Sequence, residues 1–172
     1  EFAPYADLKS GRLAFTRTFV EYRHYLSTRA LPRLVLAGRA ALGSIGGASR
    51  ADVPADERFY AGGGGSIRGF AYQSVGDQAN GAPLGGNGLL ETSVELRARL
   101  GKRWGGAAFI DGGGVYEHGY PEDDPPLHWG AGIGFRMFTG LGPIRLDVAV
   151  PVSPRDDPDD HYQFYISLGQ AF

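Results

Sequence analysis

Apolar and polar positions alternate along most of this chain with the two-residue period of strands rather than the period of helices. In the run from Gly11, Ala14, Thr16, Thr18, Val20, Tyr22 and Leu26 share one face, and Arg17, Glu21 and Arg23 the other. Arg33 to Ile45 sets Leu34, Leu36, Ala40 and Leu42 against Arg33, Arg39 and small residues. Leu90 to Leu100 sets Leu90, Val94, Leu96 and Leu100 against Glu91, Glu95, Arg97 and Arg99. Trp104 to Glu117 places Ala108 and Ile110 opposite Phe109 and Asp111, and His128 to Phe138 places Trp129, Ala131, Ile133, Phe135 and Met137 opposite glycines and Arg136. Ile144, Leu146, Val148 and Val150 then alternate with Arg145 and Asp147, and Tyr162, Phe164, Ile166 and Leu168 close the series. Glu1 to Lys9 reads as a loop end or one frayed strand. The pattern predicts an all-β antiparallel chain of seven strands, or eight with the first segment.

The connections alternate too. Those at 27–32, 101–103 and 139–143 are short, whereas those at 46–86, 118–127 and 153–161 are long. Alternating faces alone suit a soluble sandwich equally well. Short turns at one end and long loops at the other are the layout of an outer-membrane barrel, and strands of about 10 to 13 residues suit a tilted crossing. The expectation is a transmembrane antiparallel β-barrel, its charged face lining a wet lumen and its apolar face meeting lipid. Phe172 would then sit at the membrane interface.

Composition narrows the choice. The 172 residues suffice for one domain, and 28 glycines with 12% aromatics fit many short strands and turns. Cysteine is absent, which removes disulfides and thiolate metal sites. A net charge of -2 argues against a nucleic-acid partner. No apolar run reaches the roughly 20 residues of a membrane helix, a test that is blind to membrane strands. The opening E-F-A-P-Y-A-D-L has neither a basic start nor an apolar core, so an exported protein would be met here as a mature form or as a piece of a longer chain.

The longest connection carries the most distinctive stretch, Arg58 to Gly76, R-F-Y-A-G-G-G-G-S-I-R-G-F-A-Y-Q-S-V-G. Gly62 to Gly65 allow backbone conformations closed to other residues, and Arg68 follows at once. By itself this cation reads either as a solvated loop charge or as a phosphate contact. The glycines match neither a P-loop nor a dinucleotide fingerprint leading into a helix. His24, His118, His128 and His161 form no metal spacing, and no nucleophile elbow is present. Asp156, Asp157, Asp159, Asp160 and His161 have the oxygen density of a calcium site, but read first as a solvated acidic loop, as do Glu122, Asp123 and Asp124. Arg97, Arg99, Lys102 and Arg103 cluster near a short turn, facing anionic headgroups or a periplasmic partner. The expectation is a non-enzymatic protein with no cofactor and no metal. A plain structural barrel or pore, and an outer-membrane enzyme, stand as alternatives.

The run F-Y-A-G-G-G-G-S-I-R-G-F-A-Y-Q-S-V-G resembles the hallmark of the bacterial surface antigen superfamily, the barrels of BamA, TamA and the two-partner-secretion transporters. Its [VI]-R-G-[FY] tetrad would be Ile67, Arg68, Gly69 and Phe70, with Gly62 and Gly63 in support. G-G-N-G-L-L-E-T-S-V-E-L is similar to the strand after that loop, and F-I-D-G-G-G to the next, with the F-x-D signature at Phe109 and Asp111. G-P-I-R-L-D-V-A-V-P-V and Q-F-Y-I-S-L-G resemble the last two strands of TamA-type members. The resemblance spans about residues 12–172.

The resemblance implies an extracellular loop folded back into the lumen, with Arg68 paired to Glu95 and Asp111. It implies a role in inserting or secreting other outer-membrane proteins of Gram-negative bacteria. The implied partners are nascent barrels, outer-membrane lipid and an inner-membrane protein of the TamB type. The terminal strand, with Phe164, Ile166, Leu168 and Phe172, would border the seam where substrate enters. Complete members carry periplasmic POTRA domains and sixteen strands. On this resemblance the given residues would correspond to the last eight strands with no POTRA domain among them, as a half-barrel fragment or an unusually small relative. A closed eight-stranded barrel would hardly admit the 46–86 loop, so either that loop lies outside or two copies join edge to edge.

Overall fold

The computed structural model describes residues 1–6, 13–29, 31–121, 127–140, 142–153 and 161–169. The strands are β1 (Phe2–Ala6), β2 (Leu13–Thr28), β3 (Leu31–Gly46), β4 (Gln78–Ala79), β5 (Ala82–Pro83), β6 (Gly88–Arg99), β7 (Trp104–Tyr116), β8 (His128–Thr139), β9 (Gly142–Pro151) and β10 (Gln163–Leu168). Eight of them form one antiparallel sheet in the order β1-β2-β3-β6-β7-β8-β9-β10, while β4 and β5 make a small separate hairpin. The sheet does not close on itself, and β1 and β10 are its edges.

The register explains the alternation. One row crosses seven strands: Leu26, Leu36, Leu96, Ala108, Ile133, Val148 and Phe164 stand opposite one another in turn. Its large members are solvent-accessible, with Ile133 at 69% and Phe164 at 68%. The neighbouring rows, which face the other way, hold Glu91, Ser93, Glu95, Asp111, Arg136, Arg145 and Asp147, all buried. A soluble sheet hides its apolar face, whereas this one displays it and hides its charges. That inversion is what a lipid-facing wall around a polar interior requires.

The inner face is buried because the 47–87 connection lies on it. A cluster of Phe15, Ile45, Val53, Phe59, Ala61, Ile67, Phe70, Val75, Leu89 and Val115 joins loop to wall. This differs from the expectation of a loop lying outside: the loop packs on the inner wall, and the open sheet leaves room for it. Smaller differences lie at element ends. Strand pairing carries β2 to Thr28 and resumes β3 at Leu31, so the expected 27–32 turn is shorter. Of the first segment, Phe2–Ala6 forms an edge strand. The last strand is confined to Gln163–Leu168 rather than beginning at Tyr162. Phe172 lies outside the described residues.

Candidate functional site

The loop tip is shaped by its glycines. Gly62, Gly63 and Gly69 have φ of +107°, +101° and +102°, where side chains are strained. The Gly63 N–H donates to the carbonyls of Ile67 and Phe70, at 3.3 and 3.1 Å, and so folds the glycine run back onto the tetrad. At Gly69 a Cβ would also stand 2.7 Å from the Val150 carbonyl oxygen. The tip can therefore lie flat on β9 only with glycine there.

All four tetrad residues are buried. Ile67 and Phe70 enter the apolar cluster, and the Phe70 ring meets His128 edge-on at 5.5 Å. Burying two such side chains contributes about 1.5–3 kcal/mol each. Arg68 points into the wall. Its Nε donates to Asp111 Oδ2 at 2.7 Å, its Nη2 to Asp111 Oδ1 at 3.0 Å, and its Nη1 to Glu95 Oε2 at 2.7 Å. Its backbone N–H also reaches Asp111 Oδ2, at 3.1 Å. The guanidinium carbon lies 3.3 Å from the centre of the Phe109 ring. Burial alone would lower the pKa of Arg68, but hydrogen bonds to Asp111, with the charges of Asp111 and Glu95, raise it above its ordinary value. The side chain stays cationic at any accessible pH.

The network extends further than Glu95 and Asp111. Asp147 Oδ2 lies 3.4 Å from Arg68 Nη1 and accepts from Arg145 Nη2 at 2.8 Å, while Asp147 Oδ1 accepts from Arg136. Glu95 Oε1 accepts from Arg97 at 2.8 Å, and Ser93 donates to Asp111 Oδ1 at 2.5 Å. The wall's Arg97, Arg136 and Arg145 thus serve Glu95 and Asp147. The charge opposite Asp111 comes from the loop, through Arg68. A buried carboxylate whose counter-ion sits on a separate segment ties that segment down.

Further contacts fasten the loop. Ser66 donates to Glu91, whose other oxygen pairs with Arg39 at 2.8 Å. Tyr5 of β1 donates to Glu57 at 2.5 Å, and Arg17 of β2 donates to the Glu57 carbonyl at 3.1 Å while covering the Phe59 ring. At the other edge the Tyr165 hydroxyl meets the tip backbone. The loop is anchored near both edges of the sheet.

The structure brings Arg68, Glu95, Asp111 and Phe109 together, and seats Gly62 and Gly63 in the turn beside them. Phe164, Ile166 and Leu168 face outward on β10, away from this site. Sequence reasoning assigned Asp147, Arg136 and Arg145 to the inner face but not to this network. It also missed Gly130, where a Cβ would overlap the Arg68 carbonyl. The alternating glycines of W-G-A-G-I-G were the available signal, since Gly130, Gly132 and Gly134 all face inward beside the site. Among the described residues no three His, Asp or Glu side chains gather as a metal site. Glu122, Asp123, Asp124, Asp156, Asp157, Asp159 and Asp160 lie outside the described residues.

The chain is similar to the outer membrane protein assembly factor BamA of Nitratidesulfovibrio vulgaris (strain Hildenborough), at 29% identity over 166 residues. That match covers 92% of this chain and 20% of the relative, so the chain spans a fifth of that protein's length. Its fold matches the crystal structure of BamA from Haemophilus ducreyi lacking POTRA domains 1-3, with a TM-score of 0.69 and 24% identity. That match covers 87% of this chain and 34% of the other. The model of the Omp85 superfamily domain matches residues 5–172. With its inverted sheet and that match, the chain belongs to the Omp85 superfamily of outer-membrane β-barrel proteins of Gram-negative bacteria.

Proposed function

We propose that this chain is the C-terminal half of the barrel of an outer-membrane protein assembly or translocation factor, and that Arg68 pins its long loop inside the lumen. The observation that carries this reading is the burial of Arg68, 2% exposed, against Glu95 and Asp111 at 1% each. A barrel whose sole task is to span the membrane has no need to hold a loop on its inner wall by a buried ionic contact. The free edges at β1 and β10 would be completed by eight further strands, since unpaired edges are not tolerated in lipid. A second copy joined edge to edge is the competing way to complete them. The 47–87 loop would enter the lumen from the extracellular end.

In this reading the protein acts on nascent outer-membrane proteins, in contact with outer-membrane lipid, without catalysing a covalent step. A periplasm-spanning partner of the TamB type would distinguish a TamA-like member from a BamA-like one. The test uses the full-length protein reconstituted in lipid vesicles with an unfolded eight-stranded outer-membrane protein as substrate. Faster substrate folding with wild type, slowed at least about tenfold by Arg68→Ala, supports the reading; each tenfold corresponds to about 1.4 kcal/mol. Equal folding with and without the protein contradicts it.

A further inference from the structure

We propose that Tyr165 is a positioning residue that latches the terminal strand to the loop tip, so that β10 and the tip move as one unit. The inference rests on the reading that the loop is held on the inner wall. β10 is the shortest strand of the sheet apart from β1, spans six residues, and pairs on one side with β9. Its side chains at 164, 166 and 168 face outward. Tyr165 faces inward, beside Asp147 in the register.

The hydroxyl of Tyr165 uses both of its hydrogen-bonding roles on adjacent residues of the tetrad. It accepts from the Gly69 N–H at 3.0 Å and donates to the Phe70 carbonyl at 2.8 Å. Its ring lies against the glycine run, where a Cβ at Gly64 would stand 3.0 Å from the ring edge. The clasp takes hold of the tip backbone rather than of the Arg68 side chain. β10 spans only six residues along its ladder with β9, so the clasp gives it a second point of attachment on the inner wall. Coupling of this kind is reciprocal: a change at the tip must be felt at β10, and the converse.

Tyr165→Phe removes the hydroxyl and keeps the ring. Gly64→Val presses on the ring from the loop side without touching Arg68. Hydrogen–deuterium exchange of the full-length protein in lipid nanodiscs reads both segments. The expected result is exchange about fivefold to tenfold faster at residues 67–72 and at 163–168 in both variants, as for two lost hydrogen bonds. Residues 107–113, which hold Phe109 and Asp111, should stay protected in Tyr165→Phe. Exchange that rises only in the segment carrying each substitution, or in neither, overturns the latch. Rapid exchange at 67–72 already in the wild-type protein would instead contradict the pinned loop itself, which separates the two failures.

Discussion

Arg68 and Asp111 meet at three hydrogen bonds, two from the guanidinium and one from the Arg68 backbone N–H, although 43 residues separate them in sequence. The side-chain fork fixes orientation and the backbone contact fixes depth. Lateral displacement of the tip therefore breaks several charge-assisted bonds together.

A double-mutant cycle should expose this coupling. Arg68→Ala is expected to destabilise the full-length barrel by about 3–5 kcal/mol, because it strands Asp111 in the wall. In an Asp111→Ala background the same change should cost less by about 1–3 kcal/mol. Urea unfolding in lipid vesicles measures both. Additive effects would mean that the contact is not energetically formed.

Lysine should not replace Arg68. An ammonium cannot reach Asp111 with a planar fork and Glu95 at the same time. Arg68→Lys is expected to keep at most about half of the stability lost in Arg68→Ala, since a partly matched charge-assisted contact is worth about 1.5–3 kcal/mol. The unfolding midpoint of this variant, set beside those of wild type and Arg68→Ala, checks it.

Much of this was legible in the sequence. Strict alternation in L-E-T-S-V-E-L-R-A-R and I-R-L-D-V-A-V laid out the wall and its faces, because a strand's side-chain period is fixed at two. The tetrad stood out because an Arg set among glycines has few local partners of its own. What could not be read was the inclusion of Asp147 and Tyr165. Each obeys the alternation like any inward residue, and their nearness to Arg68 and Gly69 depends on how the loop crosses β8 and β9. Period-two reasoning says which face a residue takes, not what lies over that face. Closure was unreadable for the same reason: each strand predicts neighbours, but none records how many strands complete the ring.

Gly130 should tolerate no side chain. Its Cβ would overlap the Arg68 carbonyl, and the wall backbone has no freedom to retreat. Gly130→Ala is expected to cost about 1–3 kcal/mol as overpacking and to lift the tip. Ala131→Gly, on the opposite face of the same strand, should leave the tip in place. Exchange protection at 67–72 distinguishes the two.

The outward face should behave as a lipid surface. Ile133→Arg, at the most exposed point of the apolar row, is expected to destabilise the barrel by about 2–4 kcal/mol in vesicles. In a water-facing wall the same change would be nearly neutral. Unfolding in vesicles against detergent decides between them.

The most direct test of the pinned loop is trypsin digestion of the full-length protein in intact membranes, with mass spectrometry of the fragments. With Arg68 buried against Asp111 and Glu95, the Arg68–Gly69 bond should stay uncut in wild type and be cleaved readily in Asp111→Ala. Rapid cleavage after Arg68 in the wild-type protein would contradict the account, because it would place the tip in solvent rather than on the wall.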